Sequence, residues 1–105
     1  MTTRTYTVET HYVLPGNEHY FACALATPDG SAHNTRIWIT PIVGGYSWDI
    51  EAVDGEAVED LDKSGIITPD NVKGENALLA GDAALFAQAL DEAIARVREI
   101  VDPED

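Results

Sequence analysis

The chain has 105 residues, enough for one domain with one core. Hydrophobic residues make up 45% of it, which excludes a disordered chain, and no apolar run approaches the ~18 residues of a membrane span. Nineteen Asp and Glu against six Lys and Arg give a formal net charge of -13; this exceeds the roughly 2 to 8 charges that keep a small domain soluble and argues against direct nucleic-acid binding, because phosphates would be repelled.

Tyr6, Val8, Thr10, Tyr12 and Leu14 alternate with Thr7, Glu9 and His11, the pattern of a half-buried strand. Pro15-Gly16-Asn17-Glu18 supplies turn chemistry, and a second strand runs from His19 to Thr27. A four-residue loop sets Leu14 opposite His19, so that Tyr12, Thr10 and Val8 face Phe21, Cys23 and Leu25. His11 and His19 then fall on opposite faces. After a turn at Pro28-Asp29-Gly30-Ser31, a third strand over 35–43 and a fourth over 46–53 are joined by Gly44-Gly45, a two-residue hairpin signal. Ile39 then faces Ile50, Ile37 faces Ala52 and Trp48 faces Pro41, all on the core side, while Trp38 points away from the core. Pro41 cannot donate to a ladder, so the third strand is expected to be an edge or to bulge there.

Residues 54–75 are acidic and rich in turn residues. Gly55 to Leu61 reads as a short helix capped by Asp54 and ended by Gly65, and the rest as loop. Gly81-Asp82 opens the clearest element, a helix near 83–101 with Asp82 as N-cap. Phe86, Leu90, Ala93, Ile94, Val97 and Val101 form its apolar stripe; Asp91, Glu92, Arg96 and Glu99 form its polar side, with Glu92 and Arg96 paired at i,i+4. The expected fold is α+β: a single domain over 1–105, with a four-stranded antiparallel sheet of two hairpins, a short acidic connector and one long C-terminal helix on one face. Phe86, Leu90, Ile94 and Val97 should pack against Val8, Phe21, Leu25, Ile39 and Ile50. The other face would carry Val13, Tyr20, Ala22, Ala24, Ala26, Trp38, Thr40 and Ile42, an apolar set for a solvated surface.

No catalytic signature is present. Cys23 is the single cysteine and sits on the expected core face, where it behaves as a small hydrophobe. The three histidines, His11, His19 and His33, have no metal-ligand spacing, and Gly44-Gly45 is not followed by a helix, so it is no phosphate loop. With one cysteine, no span and no signal-peptide pattern at Met1–Arg4, a cytoplasmic location is expected. Asp60-Leu61-Asp62-Lys63-Ser64-Gly65-Ile66-Ile67 resembles the first part of an EF-hand calcium loop, with Asp60, Asp62 and Ser64 at the first three ligand positions and Gly65 at the turn. Asn71 stands where that family has a bidentate Glu, so a tight acidic turn without calcium is expected, and no metal or cofactor is called for.

Between Glu51 and Asp62 lie six acids and no base: Glu51, Asp54, Glu56, Glu59, Asp60 and Asp62. On a helix Glu56 and Asp60 would stand about 6 Å apart along the axis, a spacing able to match a groove lined by Arg and Lys for phosphates. These acids and the outward Trp38 form the expected partner-binding surface. The reading is a non-enzymatic intracellular protein docking on a basic surface of a protein partner. In size, charge and simplicity it resembles small phage-encoded inhibitors of nucleic-acid-handling enzymes, DNA mimics and some anti-CRISPR proteins, although it shares no motif with them. The alternatives are an acidic housekeeping subunit that dimerises through the sheet face and, less favoured, a calcium-binding module.

Overall fold

The computed structural model describes residues 6–26, 30–58, 63–79 and 81–101. Six strands, β1 (Tyr6–Val13), β2 (His19–Ala26), β3 (Ala32–Ile42), β4 (Gly45–Val53), β5 (Glu56–Ala57) and β6 (Ser64–Ile67), precede two short 3-10 turns and helix α1 (Asp82–Val101). All pairings are antiparallel. The order is β1-β2-β3-β4-β5, with β6 also on β4. The α+β class, the meander of four strands and the C-terminal helix agree with the sequence; the strand count does not.

The β1–β2 loop closes one residue tighter than expected. The Leu14 N–H donates to the Glu18 carbonyl, and Asn17 takes the left-handed conformation (φ 64°), which gives a three-residue loop. A one-residue change flips the strand: His11 pairs with Phe21, Tyr12 with Tyr20 and Val13 with His19. Val13 therefore lies on the helix side and Tyr12 on the open side, the reverse of the expectation. A bulge at Glu9 restores the alternation, so Val8 pairs with Cys23 and Tyr6 with Leu25. Val8 nevertheless remains exposed rather than buried under the helix.

The β3–β4 hairpin turns at Val43-Gly44, not Gly44-Gly45, and pairs Ile42 with Gly45. Ile39 thus faces Trp48 and Ile37 faces Ile50, a shift of two that keeps residues 46–50 on their expected faces. Past Glu51, however, Ala52 pairs with Arg36 and not Ile37, Val53 pairs with Thr35, and Val53 in place of Ala52 packs against the core cluster. Strand β3 is central, and the bulge lies near Glu51, between the Arg36–Ala52 and Ile37–Ile50 pairs. At Pro41, β3 is an edge on its β2 side, so Pro41 needs no bulge. It forms the pair next to the hydrogen-bonded turn-closing pair, so its nitrogen faces the β2 side, where pairing ends at His19–Ile39.

The expected helix after Asp54 is absent. Asp54 and Gly55 both have positive φ (55° and 84°), a tight two-residue turn, and Glu56 and Ala57 return along β4 as β5. The Val58 N–H continues this to the Glu51 carbonyl, and the Lys63 carbonyl resumes it by accepting from Ile50 N–H before β6 begins. β5 and β6 thus lie in succession along the outer edge of β4. Glu59, Asp60, Leu61 and Asp62 lie outside the described residues.

Ser64 to Ile67, the middle of the calcium-like stretch, is a strand paired with β4, and Asp60 and Asp62 lie outside the described residues. Gly65 is no helix cap: it sits opposite Trp48, and a Cβ there would stand 2.7 Å from the indole ring. Asn71 uses its side-chain oxygen to accept from the Thr68 N–H and hydroxyl.

Helix α1 packs on β4, flanked by β3 and β6. Its buried residues are Ala84, Gln88, Ala89, Ala93, Ile94 and Val97. Phe86 and Leu90 are only half-buried, at the flank of the stripe. Alanines at 89 and 93 let the helix sit close to the large sheet residues Ile37, Ile39, Trp48 and Ile50. Gln88 is buried but satisfied: its oxygen accepts from Lys73 N–H and the Asn76 amide, and its amide donates to Glu92. Arg96 pairs with Glu99.

Candidate functional site

Strand alternation gives the sheet two faces. One carries Phe21, Cys23, Leu25, Thr35, Ile37, Ile39 and Ile50 under α1. No element among the described residues covers the other. Cross-strand pairing lines up Tyr12, Tyr20, Trp38, Asp49 and Ser64 across it on β1, β2, β3, β4 and β6. The Tyr12 and Tyr20 rings stack at 6.0 Å, and Tyr20 meets Trp38 at 4.9 Å with the planes tilted by 57°. Tyr12 is 60% exposed; Tyr20 and Trp38 are half-buried. The Trp38 indole N–H donates to the Glu51 carboxylate on the same face.

Trp38 and Glu51 therefore belong to one surface. Asp54 and Glu56 do not: they lie at the turn beyond β4, and Glu59, Asp60 and Asp62 fall outside the described residues. Because Glu56 is on a strand, the helical spacing that matched it to phosphates with Asp60 has no basis. Tyr12 and Asp49 are the surface residues that the sequence reading missed. Asp49 lies between two core residues, Trp48 and Ile50, and this parity alone places it beside Trp38.

Asp54 has a structural task. Its carboxylate meets His33 Nδ1 at 2.7 Å and accepts from the Asn34 N–H, tying the β4–β5 turn to the start of β3. The hydrogen bond to His33 holds its carboxyl below the usual carboxylate range; partial burial opposes this and the Asn34 N–H adds to it. A carboxyl with a depressed folded-state pKa contributes stability that is complete above its unfolded value, ~3.9, and is lost as pH falls through the folded value. Asp54→Asn keeps a residue suited to positive φ but removes the charge. The melting-temperature gap between parent and variant should be present at about pH 5 and close toward pH 2. A gap that widens with acid would assign the pair the wrong sign. The hollow beside this pair, about 490 Å³ and lined in part by Val53, Glu56, Val58 and Ile100, presents no hydroxyl, thiol or amine nucleophile.

Cys23 is buried in the core, and its thiol is pushed up to about 11, by burial first and then by Glu9. It is a packing residue with no thiolate at neutral pH. His11 and His19, expected on opposite faces, share the helix side: His11 Nε2 lies 2.9 Å from His19 Nδ1. Their rings pack on Phe21 and Phe86. Burial, and then the neighbouring His11, lowers the His19 pKa. The two imidazoles close the open end of the core against Phe21 and Phe86. Among the described residues no three His, Cys, Asp or Glu side chains cluster to hold a metal ion. No helix among them is long and apolar enough to cross a membrane.

The chain matches no protein-family model, and neither a curated protein nor a solved structure matches it.

Proposed function

We propose that this chain is a non-catalytic binding protein that docks through its open sheet face on a basic surface of a protein partner. The observation that carries the reading is the Tyr12–Tyr20–Trp38 row. Three aromatic rings in a row, Tyr12 against Tyr20 and Tyr20 against Trp38, lie on the face that α1 leaves uncovered. Contiguous apolar surface of this kind marks an interaction site, and Trp and Tyr are the side chains most enriched where binding energy concentrates. The net charge of -13 supplies the sign of the partner, because it steers a basic protein toward the face and repels nucleic acid. The most concrete form of the reading is an inhibitor of a nucleic-acid-handling enzyme, of the DNA-mimic or anti-CRISPR-like kind, that occludes the enzyme's basic groove.

Immobilised at low salt and exposed to host lysate, the protein should retain a partner that duplex DNA displaces. Trp38→Ala should weaken that complex by at least ~2 kcal/mol while the far-ultraviolet circular dichroism stays that of the parent. Retention of the same partner at the same affinity by Trp38→Ala would sink the reading. A concentration-dependent dimer that Trp38→Ala abolishes would replace it with self-association through the same face, where Ala22 and Ala24 lie beside the rings.

A further inference from the structure

The aromatic row ends on a carboxylate. Trp38 pairs directly with Asp49, and Glu51 on the same face takes the indole N–H. We infer that the Trp38–Asp49 end of this row binds an arginine side chain of the partner, a specificity that rests on the docking reading above and sharpens it from basic to guanidinium.

Three features of the face support this. The Trp38 ring has its one donor already engaged by Glu51, so what remains for a ligand is its π face, the best aromatic platform for a cation. A carboxylate accepting from the indole N–H draws positive charge away from the ring edge and makes that face more attractive to a cation. Asp49 then stands on the adjacent strand, one interstrand spacing away, about 5 Å. A guanidinium lying flat on the indole keeps its N–H edge free to reach that carboxylate, so stacking and pairing act together. An ammonium is a compact point charge and cannot lie on the ring and present a fork to Asp49 in one pose. Tyr20, tilted against Trp38, walls the other side of the platform.

Arg36 limits where the ligand can lie. It stands two residues before Trp38, exposed on the same face. Its charge disfavours a second guanidinium on that side, so the ligand approaches from the Asp49 and Thr40 side.

The test uses two synthetic octapeptides of equal charge, one alternating arginine with glycine and one alternating lysine with glycine, titrated into the full chain by calorimetry at low salt. The arginine peptide should bind about fivefold or more tighter than the lysine peptide. Asp49→Asn and Trp38→Leu should each remove that preference while leaving the lysine peptide's affinity within about twofold, since diffuse charge holds it. Arg36→Gln should raise affinity for both peptides. Equal affinity for the two peptides, with both lost on replacement of Tyr12 and Trp38, would overturn guanidinium recognition and leave the docking face standing. Binding that ignores Trp38 and Asp49 would overturn both, as would the absence of binding by either peptide.

Discussion

Gly45→Ala is expected to lower the unfolding free energy by about 3 kcal/mol or more, at the top of the range for overpacked sites. A Cβ on Gly45 would lie 1.9 Å from the Ile67 carbonyl oxygen and 3.0 Å from its carbon. Those are backbone atoms held in the β4–β6 ladder, where Tyr46 pairs with Ile67 and Trp48 with Gly65. They cannot rotate away as a side-chain end would. The alanine therefore displaces β6, uncovers Trp48 and Ile67, and disturbs the bed of α1. The adjacent Gly44 gives the control. It has φ 87° with open space around its missing Cβ, so alanine there should cost only the ~1 kcal/mol of a left-handed L-residue. Urea titration followed by tryptophan emission and far-ultraviolet circular dichroism separates the two. Equal costs at 44 and 45 would mean that β6 does not press on Gly45.

Ile50→Ala is expected to cost about 2–5 kcal/mol, and Leu90→Ala roughly 1–2 kcal/mol. Ile50 is fully buried between sheet and helix, so truncation leaves a cavity that packed neighbours on both sides keep open. Leu90 is half-buried at the flank of α1. Its truncation loses transfer energy, but the gap opens toward solvent and leaves little void. Chemical denaturation of both variants tests this ordering; a Leu90→Ala cost equal to that of Ile50→Ala would place Leu90 in the centre of the helix–sheet contact.

The faces of β3, and of β4 as far as Ile50, were legible because their apolar residues alternate and an even register shift leaves the faces intact. The bulge at Glu51, which puts Val53 in place of Ala52 on the core side, leaves no mark in that alternation. The β1 register was not. Both candidate loops use the same residues, Pro15-Gly16-Asn17, and the choice turns on whether Asn17 adopts positive φ, as it does. Asparagine tolerates that conformation, which was the available clue. The Asp54-Gly55 dipeptide is the standard signal of a two-residue hairpin, yet the acids after it suggested a capped helix. The helix stripe was read from large residues, so its centre was set at Phe86 and Leu90. Alanines 89 and 93 define the true contact, because a small side chain permits the close approach that a large one prevents. Of the expected binding surface, Trp38 was placed on the correct face. Its acidic neighbours were ordered by position in the chain, whereas the pairing keeps Glu51, adds Asp49 and sets Asp54 and Glu56 apart.

The broken margins of the sheet bear on how another molecule can join it. A long regular edge invites strand addition and end-to-end polymerisation. Here β1 carries a bulge at Glu9, which leaves Thr10–Val13 as its longer regular run, and the opposite margin is divided between two-residue β5 and four-residue β6. Neither margin offers an incoming chain more than about one short strand's worth of main-chain partners. A protein with so interrupted a perimeter resists fibril-like stacking, even though it leaves tyrosine and tryptophan uncovered on one side. It must be met broadside, by side chains, so its partners should be folded surfaces and not extended peptides that borrow its backbone.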